Sequence, residues 1–131
     1  MDLNLEILRA ARGLAAYATA RHAVIAENVA HADTPGYRAR DLTDFSDSFR
    51  SRGDLPFAMK ATREGHIVTS PPRHSADVVE RALFGAEAPN GNNVSIEDQM
   101  MRAVESQRQH SMALAVYRKS LDIIRTTLAR P

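Results

Sequence analysis

The sequence predicts a mainly α protein, with a long helix at each end and a small irregular or short-β segment between them. Two observations lead there. The helix breakers crowd the middle: five of the six prolines lie from Pro35 to Pro89, and five of the six glycines from Gly36 to Gly91. Each end also carries an apolar stripe at alternating three- and four-residue spacing, the pattern of a helix with one buried face. All four phenylalanines (Phe45, Phe49, Phe57, Phe84) fall in the middle as well.

The N-terminal zone, from about Leu3 to His31, reads as one helix. Ten alanines lie between Ala10 and Ala32. The stripe is Leu8, Ala11, Ala15, Ala18, His22, Ile25 and Val29, widened by Ile7 and Leu14. Small alanines let a partner helix approach toward the short end of the usual ~8–10 Å separation.

"HADTPGY" ends this helix. Thr34 before proline is pushed out of helical space. Pro35 presets the second position of a turn, and Gly36 accepts the positive φ of a type II turn at the third. Asp33 and Thr34 are placed to bond freed backbone groups, and Tyr37 to pack nearby.

The middle zone reads as a short helix over Leu42, Phe45 and Phe49, then a hairpin of "FAMKAT" and "GHIVTS". Periodicity leaves "ADVVERALF" open between helix and strand. Asp41, Asp44 and Asp47, with Arg38, Arg40, Arg50 and Arg52 around them, read as a solvated, salt-paired face.

The C-terminal zone gives the longest pattern. Ile96, Met100, Ala103, Gln107, His110, Leu114, Tyr117, Leu121, Ile124 and Leu128 alternate four and three without a slip, a heptad seam of the coiled-coil kind. Ser95 and Asp98 suit a capping box at its start. The resulting divisions are 1–34 for the N-terminal helix, 35–92 for the middle segment and 93–131 for the C-terminal helix.

Seventeen Lys plus Arg against 16 Asp plus Glu give a net charge of +1, so no electrostatic case arises for nucleic acid. No cysteine is present, which excludes disulfides, thiolate metal sites and cysteine nucleophiles. The N-terminal residues do not form a cleavable secretory signal. No phosphate-binding loop, nucleophile elbow or paired-carboxylate cleft is recognisable. The reading is therefore of a non-enzyme without catalytic, cofactor-binding or metal residues, and without a small-molecule substrate. His22 and His110 interrupt the two stripes; they read as register-setting polar positions, with a metal or proton site between the helices as the other reading.

The run Asn28, Val29, Ala30, His31, Ala32, Asp33, Thr34, Pro35, Gly36, Tyr37 matches N-[IV]-A-[NH]-A-[DN]-T-P-G-Y position by position. At these residues the chain resembles the axial rod and hook proteins of the bacterial flagellum. "RARDLTDF", "MKATREGHIV" and "GNNVSIEDQM" resemble the B type of proximal rod protein. The last helix lacks the aromatic-rich stretch usual in the C type. The resemblance covers nearly the whole chain.

The resemblance implies a structural subunit of the proximal rod in the basal body. Its terminal helices would form an antiparallel, coiled-coil-like pair and polymerise into the hollow drive shaft. It also implies a periplasmic location, reached through the flagellar type III apparatus without a cleaved signal. The implied partners are copies of itself, other rod proteins, and the membrane ring and export gate at the base. The helix-terminating motif would be Asn28, Ala30, Ala32, Asp33, Thr34, Pro35, Gly36 and Tyr37. The assembly seam would be Leu8, Ala11, Ala15, Ala18, Ile25, Val29, Ile96, Met100, Ala103, Leu114, Tyr117, Leu121, Ile124 and Leu128. With so few bulky residues, the termini are expected to be loose in a free subunit and to order on assembly. A cytoplasmic helical adaptor or export chaperone of a secretion system is the alternative that shares these features.

Overall fold

A computed structural model describes residues 2–50, 77–80 and 87–128. Five elements follow in chain order: α1 (Asp2–Ala30), β1 (Arg40–Leu42), α2 (Phe45–Arg50), β2 (Val78–Glu80) and α3 (Ile96–Leu128). The protein is mainly helical, with α1 and α3 packed against each other within one chain. They run antiparallel: Asn28 meets Gln99, Arg21 meets Glu105, and Ser106 reaches Ala18. At ~1.5 Å per residue the 33 residues of α3 span roughly 50 Å. No described helix is long and apolar enough to cross a membrane.

The face that α3 buries differs from its most apolar line. Its buried residues are Gln99, Ser106, Ala113 and Ser120, one every heptad. Ala103, His110, Leu114, Leu121 and Ile124 flank that line half-buried, while Ile96, Met100, Gln107, Tyr117 and Leu128 are exposed. Small side chains at the contact explain the choice. The Ser106 hydroxyl donates to the Ala18 carbonyl at 2.8 Å, a reach from side chain to foreign backbone that only a close crossing permits. On α1, Ala11, Ala18 and Ile25 are buried and Leu8 and Ala15 half-buried, as the stripe suggests, but His22 and Val29 are exposed. The buried line passes instead through Tyr17, Arg21, Val24 and Asn28.

That diversion follows the middle segment. Leu42 of β1 packs with Tyr17 and Val24, backed by Leu14 and Phe45. The Tyr17 and Phe45 rings lie 5.6 Å apart, and Phe45 continues to Phe49 at 5.4 Å. The short helix expected over Leu42, Phe45 and Phe49 is thus α2, with Leu42 left in the strand before it. β1 pairs antiparallel with β2, Leu42 opposite Val78 and Arg40 opposite Glu80. This settles part of "ADVVERALF" as strand. The hairpin expected from "FAMKAT" and "GHIVTS" lies outside the described residues.

The start of α3 is capped as its sequence suggests, in part. Asp98 N–H donates to Ser95 Oγ at 3.3 Å. The Asp98 carboxylate turns away to Arg102 instead of closing the box. Glu97 takes the Ser95 hydroxyl at 3.0 Å. Its own backbone N–H and then Ser95 hold its carboxyl below the usual range.

The close crossing gives a direct test. Ala18→Leu should cost about 1–3 kcal/mol by overpacking, read from urea unfolding. Ala16→Leu, at an exposed position on the same helix, should change stability by no more than about 0.5 kcal/mol.

Candidate functional site

The chemistry of this chain is concentrated where α1 ends, and it is the chemistry of a joint. Asn28 is fully buried in the last turn of α1. Its amide binds both backbone groups of Arg40: Nδ2 donates to Arg40 O at 2.7 Å, and Arg40 N–H donates to Oδ1 at 3.0 Å. One side chain thereby imitates a neighbouring strand. The same Nδ2 donates to Gln99 Oε1 at 3.0 Å, and Tyr37 OH donates to Oδ1 at 3.3 Å. Helix, turn, strand and opposite helix meet on one amide.

The turn that brings Tyr37 back has the expected form. Tyr37 N–H donates to Thr34 O at 3.3 Å, and Gly36 has φ 70°. The Tyr37 ring stacks on His31 at 4.6 Å, and the Arg40 guanidinium lies 5.9 Å from its centroid. Burial, then the charge of Glu27, raises the Tyr37 pKa above its ordinary value; Arg40 opposes both.

The freed carbonyls at the end of α1 are bonded from a different place than the sequence suggested. Asp33 is exposed, and the Thr34 hydroxyl lies 3.1 Å from His31 Nδ1. The acceptors His31 O, Ala32 O and Thr34 O instead converge on Asn92 Nδ2 at 2.8–2.9 Å. Asn92 Oδ1 accepts from Val94 N–H at 2.7 Å, and Asn93 Oδ1 from Ala39 N–H at 2.7 Å. Gly36 N–H donates to Asn90 O at 3.0 Å. Gly91, at φ 80°, lies against the Gly36 backbone. The approach to α3 is therefore bolted onto the exit from α1.

Asp41 corrects the reading of a solvated acidic face. It is 1% exposed and lies between the helices. Arg21 approaches its two oxygens through Nε and Nη2 at 3.1 and 3.3 Å, and Arg102 adds Nη1 at 2.6 Å. Leu42 N–H donates to Oδ1 at 2.8 Å. Arg102 continues to Asp98 at 2.8 Å and Arg21 to Glu105 at 3.4 Å. Burial by itself lowers the pKa of Arg21; the hydrogen bond and charge of Asp41, with Tyr17 and Glu105, outweigh it and leave the pKa raised. Asp44 and Asp47 are exposed, as expected.

The motif residues thus divide by role. Asn28 is buried at the centre, Ala32 and Tyr37 are half-buried around it, and Ala30, Asp33, Thr34, Pro35 and Gly36 lie on the outside. Arg21, Asp41, Asn92, Asn93, Gln99 and Arg102 complete the joint without a periodic signal to mark them. The arrangement orders backbone and balances charge. A scan of protein-family models and a search of curated proteins return no match to this chain.

Two outcomes test the joint. Asn28→Ala leaves the Arg40 backbone groups and Tyr37 OH without partners and should cost about 3 kcal/mol, at ~1–3 kcal/mol per orphaned group with some relaxation. Asp41→Asn should cost about 3–5 kcal/mol, because both arginines lose their buried counter-charge. Thermal or urea unfolding reads both. Tyr37 supplies a pH signature. Its raised pKa means that the folded state keeps the proton longer than the unfolded state does. Its contribution is complete below the ordinary tyrosine range, ~10, and is lost as pH rises through the raised value. Absorbance titration of the parent and of Tyr37→Phe should differ by one tyrosine component that titrates above the ordinary range.

Proposed function

We propose that this chain is a structural subunit of a helical assembly, the proximal rod of the bacterial flagellar basal body. The carrying observation is the mismatch between what α3 buries and what it exposes. Its buried line is small and polar, while Met101 is 74%, Val104 72%, Leu128 70% and Met100 65% exposed. Exposed apolar area of this extent along one helix is costly in water and marks a surface meant to be covered. Val29 and Leu5 of α1 add exposed apolar positions toward its two ends.

In this reading the terminal helices pair within each subunit through the narrow seam, and bury their apolar flanks against other subunits. The narrow seam supplies little hydrophobic stabilisation, so the far ends of both helices are loose in the free subunit and tighten on assembly. The joint sets the angle at which the middle segment leaves the shaft. A joint made of short hydrogen bonds and buried ion pairs resists shear better than a flexible turn, which suits transmission of torque. Copies of the chain, other rod proteins, and the ring and export gate at the base are the partners that follow. Export by the flagellar type III apparatus and residence in the periplasmic rod belong to the same reading, supported by the motif from Asn28 to Tyr37.

The test is a pair of charges on the exposed flank. Met101→Glu with Val104→Glu should leave the free chain folded, within about 0.5 kcal/mol of the parent for surface positions. The same variant should abolish motility in cells that depend on it, with the protein missing from purified basal bodies. Normal motility, or a parent protein that stays in the cytoplasm as a stable dimer, would overturn the proposal and favour the adaptor.

A further inference from the structure

The net charge of +1 conceals a segregation of charge along the helix pair. α1 holds no carboxylate between Glu6 and Glu27, and α3 none between Glu105 and Asp122. The Ala18–Ser106 contact of this antiparallel pair sets much of the two stretches side by side, on the half away from the joint. Arg9, Arg12, Arg108, Arg118 and Lys119 are exposed there. They form no ion pair among the described residues. A patch of one sign states the charge of the surface that suits it.

The opposite sign lies at the joint end. A cleft of about 630 Å³ opens between α1, α2 and α3. Its apolar lining is Tyr17, Phe45 and Met101, and its carboxylates are Asp44, Asp98 and Glu105. The two guanidiniums in the lining, Arg21 and Arg102, are both held by Asp41, so carboxylates outnumber cations. Glu105 meets Arg21 at 3.4 Å with its side chain 57% exposed. Gln109 Oε1, in the same lining, is buried with no hydrogen-bond partner. A buried acceptor in that state calls for a donor. A guanidinium fits each of these features. It carries several N–H donors and a positive charge, it lies well over an aromatic face such as Phe45, and its aliphatic stem can cover Met101.

We propose that copies of this chain dock head to tail, the Arg9–Arg12 edge of one copy seated in the acidic cleft of the next. Arg9 and Arg12 stand about one turn apart on α1, so they meet the cleft as a pair. The inference rests on the subunit reading above and names a polar contact for it. A lipid surface suits the cations less well. Arg9 and Lys119 each stand roughly half a turn round their helix from Ala18 and Ser106, which mark the seam. They therefore face outward on opposite sides of the pair, whereas a flat anionic surface reaches one side. Because edge and cleft differ, the contact is heterologous and repeats from copy to copy.

Sedimentation velocity of the full chain tests this at ~0.01 M and ~1 M salt, where the screening length is ~30 Å and ~3 Å. The parent should self-associate at low salt and dissociate at high salt. Arg9→Glu with Arg12→Glu removes the basic edge, and Glu105→Lys fills the cleft with a like charge. Each variant alone should associate about tenfold or more weakly than the parent. An equimolar mixture of the two should form a dimer and nothing larger, since one intact edge then meets one intact cleft. All three positions are exposed, and circular dichroism checks that the variants fold. A parent that stays monomeric at low salt overturns the proposal, as does association that the substitutions leave unchanged. Binding of the parent to phosphatidylserine vesicles in place of self-association, lost with Arg9→Glu and Arg12→Glu, also overturns it and assigns the cations to a membrane. If the contact fails while Met101→Glu with Val104→Glu still abolishes motility, the subunit reading stands without it.

Discussion

The structure depends on the amide of Asn28. A long helix that ends in a tight turn must send the chain somewhere, and the peptide groups beyond the turn must find partners. Asn28 supplies both for Arg40, which fixes β1 beside α1 before any strand pairing is counted. With Arg40 held, Asp41 falls between Arg21 and Arg102, and Leu42 falls on Tyr17 and Val24. The small sheet, the ion cluster and the apolar cluster are consequences of one register. A shift of β1 by one residue would turn Asp41 and Leu42 to opposite faces. It would bury no counter-charge for two arginines.

The amide also determines its neighbour. Arg40 N–H and O fix which end of the Asn28 side chain is nitrogen. That choice fixes Gln99, whose Oε1 must face Asn28 Nδ2. Gln99 Nε2 is then buried with no partner among the described residues. An unpaired buried amide costs on the order of 1–3 kcal/mol, so stability alone would favour an apolar side chain there. Gln99 contributes specificity instead: it favours one axial register between α1 and α3, because sliding either helix by a turn would separate Gln99 Oε1 from Asn28 Nδ2. A polar residue in a heptad seam trades stability for register in this way.

The sequence disclosed the long elements and hid the contacts between them. Alanine content, breaker placement and the Ser95 cap made both helices and their limits legible, and Pro35-Gly36 made the turn legible. Those features act over a few neighbouring residues. The seam of α3 was misplaced because hydropathy ranks Met100 and Leu128 above Ser106 and Ser120, whereas close packing ranks small residues first. Asp41 looked like a surface acid because its counter-ions are 20 and 61 residues away, on two different helices. The caps from Asn92 and Asn93 likewise depend on a loop that only the folded chain brings near. Local physics can be read along a chain; these residues take their meaning from elements distant in sequence.

The same division bears on why the exposed flank of α3 is apolar when its buried line is not. A subunit that satisfied all its apolar surface internally would be stable alone and would have nothing left to assemble with. Here internal pairing relies on Ser, Ala and Gln contacts that specify register with little area, and leaves Met101 and Val104 exposed. On the proposed reading, register is fixed inside the subunit and cohesion is left for the assembly. A joint of this kind needs many hydrogen-bond partners at its fixed end and few along the helix pair. The hydrogen bonds of Asn28, Asn92 and Asn93 gather at one end of the helix pair in keeping with that need. The helix ends farthest from that joint then have only the narrow seam to hold them, and in the proposed assembly a covering neighbour would stabilise them most.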